Sequence, residues 1–126
     1  MELLKDSGNL DMDTQIEICT CDHLMWRWRV YNMILGYENL SETQVGTHHI
    51  CRLGKWCDNT EFHNHAMCLE VEAMEKPHES LHELAKKAIR AYNSGNRDLA
   101  EQLLLDIDNA SHEVVGHLMK LKSLNK

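Results

Sequence analysis

The chain has 126 residues, 13 basic against 20 acidic side chains and a formal charge of −7, which fits one domain and leaves no basic footprint for nucleic acid or an anionic membrane surface. Only 6 Gly and 1 Pro stand among plentiful Leu, Glu, Lys, Met and Ala, a composition that excludes a turn-rich β fold in favour of an all-α one. No apolar run approaches the ~20 residues that cross a bilayer, and the start MELLKDSGNLDMD lacks the basic and apolar regions of a signal peptide, so a cytoplasmic protein with no membrane insertion is expected.

Residues 1–12 read as a polar, flexible arm, and residues 13–126 as one compact unit without repeats. Thr14 followed by Glu17 is a capping-box pattern. After it Ile16, Cys19, His23, Trp26, Val30, Met33 and Tyr37 fall at alternating three- and four-residue spacing, which predicts a long first helix with one buried seam. His23 lies on that seam between Cys19 and Trp26, and a buried imidazole needs a partner.

The segment NLSETQVGTHHI, from Asn39 to Ile50, is polar and contains Gly46, so it reads as a connection with no evident chemistry. CRLGKWC then predicts a short helix with Cys51 at its entrance and Leu53 and Trp56 as anchors. Unpaired N–H groups at a helix start favour a thiolate placed there, the form that binds metals.

A third helical stretch runs from about Asn64 to Tyr92, with Met67, Val71, Met74, His78, Leu81 or His82, Ala85, Ile89 and Tyr92 on one face. Pro77 lacks a donor and clashes with the preceding turn, so this helix is expected to break or kink there. Asn93, Ser94 and Gly95 supply a stop, Asn96 a cap, and Leu99, Leu103, Ile107, Ala110, Val114, Leu118 and Leu121 a final helix to about Leu124. The expected architecture is a helical bundle of three to four long helices plus a short one.

Five cysteines, Cys19, Cys21, Cys51, Cys57 and Cys68, are an odd number in a chain without a signal, which argues against a disulfide framework and brings metal or redox chemistry forward. Nine histidines point the same way. His78 and His82 are four residues apart, so their imidazoles share one helical face, a workable bite for one ion. Added to the inward His23 and to Cys51 at its helix entrance, they complete the closed N/S set that Zn²⁺ favours.

The pattern His23-x-x-Trp26-Arg27, then Cys51-Arg52-Leu53-Gly54-Lys55-Trp56, then Pro77-His78-x-x-x-His82 resembles the chemoreceptor zinc-binding (CZB) domain of bacterial chemotaxis receptors and diguanylate cyclases, over roughly residues 12–124. The resemblance implies a zinc-binding helical bundle, often a homodimer, with ligands at His23, Cys51, His78 and His82. It implies a non-catalytic sensor of zinc, or of oxidants that attack the bound thiolate, acting on a signalling partner such as a chemoreceptor or a diguanylate cyclase. Family members are commonly fused to an output module, whereas this chain ends at Lys126, so a free-standing sensor or an excised fragment is expected. Cys57 replaces a residue that is usually apolar in the family.

Plainer readings stand beside these. His23 could be a core histidine bonded to a carbonyl, and Cys51 a small buried hydrophobe. Cys19 and Cys21 lie about 200° apart on a helix, so a separate clip with His23 would require the helix to unwind. His48-His49 and His63-x-His65 read as solvated loop residues, with adventitious metal binding as the alternative, His112 and His117 as lying on an exposed face, and Cys57 and Cys68 as ordinary thiols, with Cys57 able to act as a resolving partner for Cys51. Trp26, Trp28 and Trp56 read as packing residues, and Arg27 and Lys55 as partners for acidic neighbours. Two other functions compete: a zinc-dependent hydrolase with an open coordination position beside Glu79 or Glu83, and a structural dimerisation bundle that zinc only stabilises.

Overall fold

The computed structural model describes residues 11–49, 51–62 and 64–124. These residues form helices without strands, in the order α1 (Met12–Ile34), α2 (Glu42–Val45), α3 (Arg52–Asn59), α4 (His65–Asn93) and α5 (Arg97–Leu124). The fold is the expected all-α bundle, with three long helices and two short ones.

Helix α1 starts earlier than the Thr14–Glu17 pattern predicts. Asp11 is the cap, its carboxylate accepting from the Thr14 N–H at 2.8 Å, so Thr14 already lies in the first turn. At the other end Tyr37 N–H donates to Asn32 O and Gly36 N–H to Met33 O, and Gly36 takes φ 86°. This is the double bond of a Schellman stop, which needs a left-handed residue. Tyr37, expected as the last seam residue, falls beyond that stop and is 81% exposed. Ile16, Cys19, His23, Val30 and Met33 are buried as the spacing requires.

The connection after α1 holds more structure than its polarity suggests. Leu40 and Val45 are buried, and Gln44 accepts from the Ser41 N–H at 2.7 Å to cap the single turn of α2. Arg90 grips Glu42 through two nitrogens, at 2.6 and 3.2 Å, and so ties α2 to α4.

Helix α4 corrects the expected break: it runs through Pro77 as one 29-residue helix. Pro77 forfeits one ladder bond, while Met74, His78, Leu81, His82 and Ala85 on either side of it are buried in the bundle, and that packing outweighs the local cost. Gly95 at φ 88° closes α4, and Asn96 caps α5 through the Leu99 N–H at 3.2 Å. Helix α5 packs along both α4 and α1, α2 lies on α4, and α3 meets α1. The middle of α1, the start of α3 and the middle of α4 therefore converge.

Candidate metal centre

Four side chains from those three helices meet inside the bundle. The donor atoms of His23, Cys51, His78 and His82 all lie within 4.8 Å of one another, so every site residue expected from the sequence is brought to one place. Cys51 Sγ is 3.1 Å from His78 Nε2 and 3.9 Å from His23 Nε2. The ring centroids of His78 lie 4.8 Å from those of His23 and 4.9 Å from those of His82.

Each group is aimed by its own backbone. His23 Nδ1 donates to Cys19 O, one turn back in α1, at 2.7 Å, and His82 Nδ1 lies 3.4 Å from Gly46 O. Both contacts fix the proton on Nδ1 and turn the Nε2 lone pair inward, the carbonyl–imidazole arrangement typical of metal-binding histidines. Cys51 is the cap of α3, and its sulfur accepts from the Gly54 N–H at 3.4 Å. Gly54 owes its identity to a close approach: a Cβ there would lie 1.9 Å from His48 O and 2.9 Å from His49 Cα. The C-x-L-G block thus encodes a cap, a buried anchor in Leu53 and a glycine that lets the preceding loop lie against α3.

Burial governs the electrostatics. It pushes His78 down to about 2, helped by repulsion from His23, His82, His48 and His49. Burial and the repulsion of His23 push His82 down to about 4, against the pull of the Gly46 carbonyl. His23 is lowered too, chiefly by burial. All three imidazoles are therefore neutral near pH 7, with lone pairs available. The helix entrance was expected to lower the Cys51 thiol, but burial raises it above its ordinary value and outweighs the Gly54 and Leu53 N–H groups.

His82 Nε2 supplies the test of fit. It is fully buried and lacks a hydrogen-bond partner, which is costly for a nitrogen lone pair unless something electrophilic satisfies it. Three neutral imidazoles and a sulfur within 4.8 Å of one another form an N₃S donor set suited to a borderline-soft divalent ion. These residues fit zinc.

Elsewhere the structure corrects several readings. His48 is buried rather than solvated, with Nε2 2.8 Å from Glu75 Oε1 and its ring 5.4 Å from that of His78. Its position in a loop leaves no periodicity that could reveal this; the one hint is its nearness to Cys51. His117 is also half-buried and bonds to Glu70 of α4, a contact between helices that spacing within α5 cannot show. His49, His65 and His112 are exposed as expected, and His63 lies outside the described residues. Trp28 is exposed instead of packed, whereas Trp26 lies under Arg29 and Trp56 meets Phe62 edge-on. Arg27 pairs with Asp108 at 2.6 Å. Cys19 and Cys57 are held protonated, pushed up to about 12 chiefly by burial, and Cys21 is exposed on another face of α1.

A family model described as the chemoreceptor zinc-binding domain matches residues 23–89. That span begins at His23 and includes all four converging side chains. Comparisons with curated proteins and with solved structures found no match. Among the described residues, no helix is long and apolar enough to cross a membrane.

Proposed function

The chain belongs to the chemoreceptor zinc-binding domain family, and from that premise we propose that His23, Cys51, His78 and His82 are the four ligands of its Zn²⁺. Membership makes the chain a zinc-binding signalling domain; the ligand assignment rests above all on the buried, partnerless Nε2 of His82. When bound, zinc supplies a cross-link between α1, α3 and α4 and holds the Cys51 sulfur as a thiolate. The protein's own groups do the rest: the Cys19 and Gly46 carbonyls orient two imidazoles, and the Cys51 thiol gives up its proton on binding, because the histidines are already neutral.

In this reading occupancy is the signal. Loss of the ion, or oxidation of the Cys51 sulfur, frees three helices to shift against one another, and a cytoplasmic signalling partner such as a chemoreceptor or a diguanylate cyclase reads the change. Four protein donors would complete the shell that Zn²⁺ favours in closed sites and leave no position for an activated water, which favours a sensor over a hydrolase.

Zinc titration of the four single alanine variants against a competing chelator tests the assignment. Removing a group that merely orients a ligand costs about 10–100-fold in affinity, so loss of a ligand itself should weaken binding by about 100-fold or more. Near-wild-type affinity in His78→Ala and His82→Ala would overturn it.

A further inference from the structure

We propose that His48, His49 and Glu75 form a second, outer site for a divalent transition metal at the rim of the buried centre. Their donor atoms lie within 4.8 Å of one another, although they come from a loop and a helix 26 residues further on. The two imidazole rings are 4.1 Å apart, and His48 Nε2 already sits 2.8 Å from the Glu75 carboxylate.

The surroundings build this group rather than merely allow it. His48 is buried at 7% exposure, and its carbonyl is pressed against Gly54, where a side chain would not fit. That close approach sets the His48 backbone directly against α3. His49 Nδ1 lies 3.4 Å from Asp58 Oδ2; donating its proton there leaves Nε2 as the lone-pair nitrogen, with a carboxylate behind the ring as in many histidine–metal pairs. Glu79 Oε2, 4.0 Å from His48 Nε2, stands as a further oxygen close by.

Two imidazoles and a carboxylate make a donor set of N₂O type, which suits Zn²⁺, Co²⁺ or Ni²⁺ and leaves positions for water. The outer site differs from the inner one in two ways. It has no thiolate, and two of its three residues are exposed, with side chains 57% and 58% accessible for His49 and Glu75. These two differences make the outer ion the weaker and faster-exchanging of the two, and with the His48 and His78 rings 5.4 Å apart repulsion between two dications would lower the affinity for whichever binds second.

Titration of the metal-free protein with Co²⁺ tests the proposal, since only Cys51 gives thiolate-to-cobalt charge transfer. In the wild type that band should saturate at one equivalent, while visible d–d absorption keeps growing through a second. His49→Ala and Glu75→Gln, both at exposed positions, should abolish the second phase and leave the charge-transfer band unchanged. Binding that ends at one equivalent in the wild type, or a second phase that survives in both variants, would overturn the outer site. Failure of the inner assignment reads differently, as loss of the charge-transfer band.

Discussion

The three buried histidines carry a clear consequence for acid stability. An unfolded chain protonates them near 6.5, whereas in the folded, metal-free protein His78 is held down at about 2 and His82 at about 4, with His23 lowered as well. Between those values the unfolded state binds more protons, so stability falls as pH falls from 6.5 towards 4 and is retained above 6.5. Each histidine removes up to about 1.4 kcal/mol per pH unit across that window. Against a total of about 5–15 kcal/mol, three together should bring the urea midpoint of metal-free protein down steeply below pH 6. A midpoint that stays flat from pH 7 to 4.5 would mean that the imidazoles are solvated. At this scale much was legible in the sequence: the i, i+4 pair and the α1 seam aimed three imidazoles inward. His48 was not, because a loop residue has no periodic face and its burial depends on where Gly54 lets the chain lie.

At the scale of elements, the short stretch from Gly46 to Trp56 supplies several contacts of the candidate site. It contributes no long helix, yet it delivers the Gly46 carbonyl to His82, the His48 ring to Glu75 and the Cys51 sulfur to His78. Gly54→Ala would drive a methyl into His48 O, and because that neighbour is backbone the loop must withdraw as a whole. The expected cost is about 1–3 kcal/mol, as for overpacked sites, measured by denaturant unfolding, together with weaker zinc binding as Cys51 and the Gly46 carbonyl move. A variant with an unchanged midpoint and unchanged affinity would show that the loop is not wedged there. Helix ends were partly legible: the Asn93–Asn96 stop and cap appear where residue types put them, whereas α1 starts at Asp11 because a carboxylate one turn earlier outcompetes the Thr14 box.

At the scale of the whole molecule, the candidate metal centre is inside and an apolar stripe is outside. Leu24, Trp28 and Tyr31 of α1 and Leu35 at its C-terminal cap follow one another at four, three and four residues and are between 43 and 59% exposed, on a helix whose other face packs on α5. An exposed apolar stripe of this kind marks an interaction surface, and the occupant proposed for it is a second copy of the chain. Trp28→Glu is expected to shift sedimentation from dimer towards monomer while leaving zinc stoichiometry intact; a wild type that sediments as a monomer at high protein concentration would remove the basis for this expectation.

What the sequence determined by itself was the three long helices, the short one after Cys51 and the identity of the inward-facing donors, because hydrophobic period and cap chemistry act within a few residues of the chain. It also carried the family resemblance, since the C-x-L-G block and the flanking histidines survive as letters. Only the tertiary structure decided that α4 continues through Pro77, that His48 is buried and His117 pairs with Glu70, and that Glu75 joins a histidine pair from a distant loop. Those outcomes depend on distances between residues far apart in sequence, where packing of α1, α4 and α5 outweighs local preference.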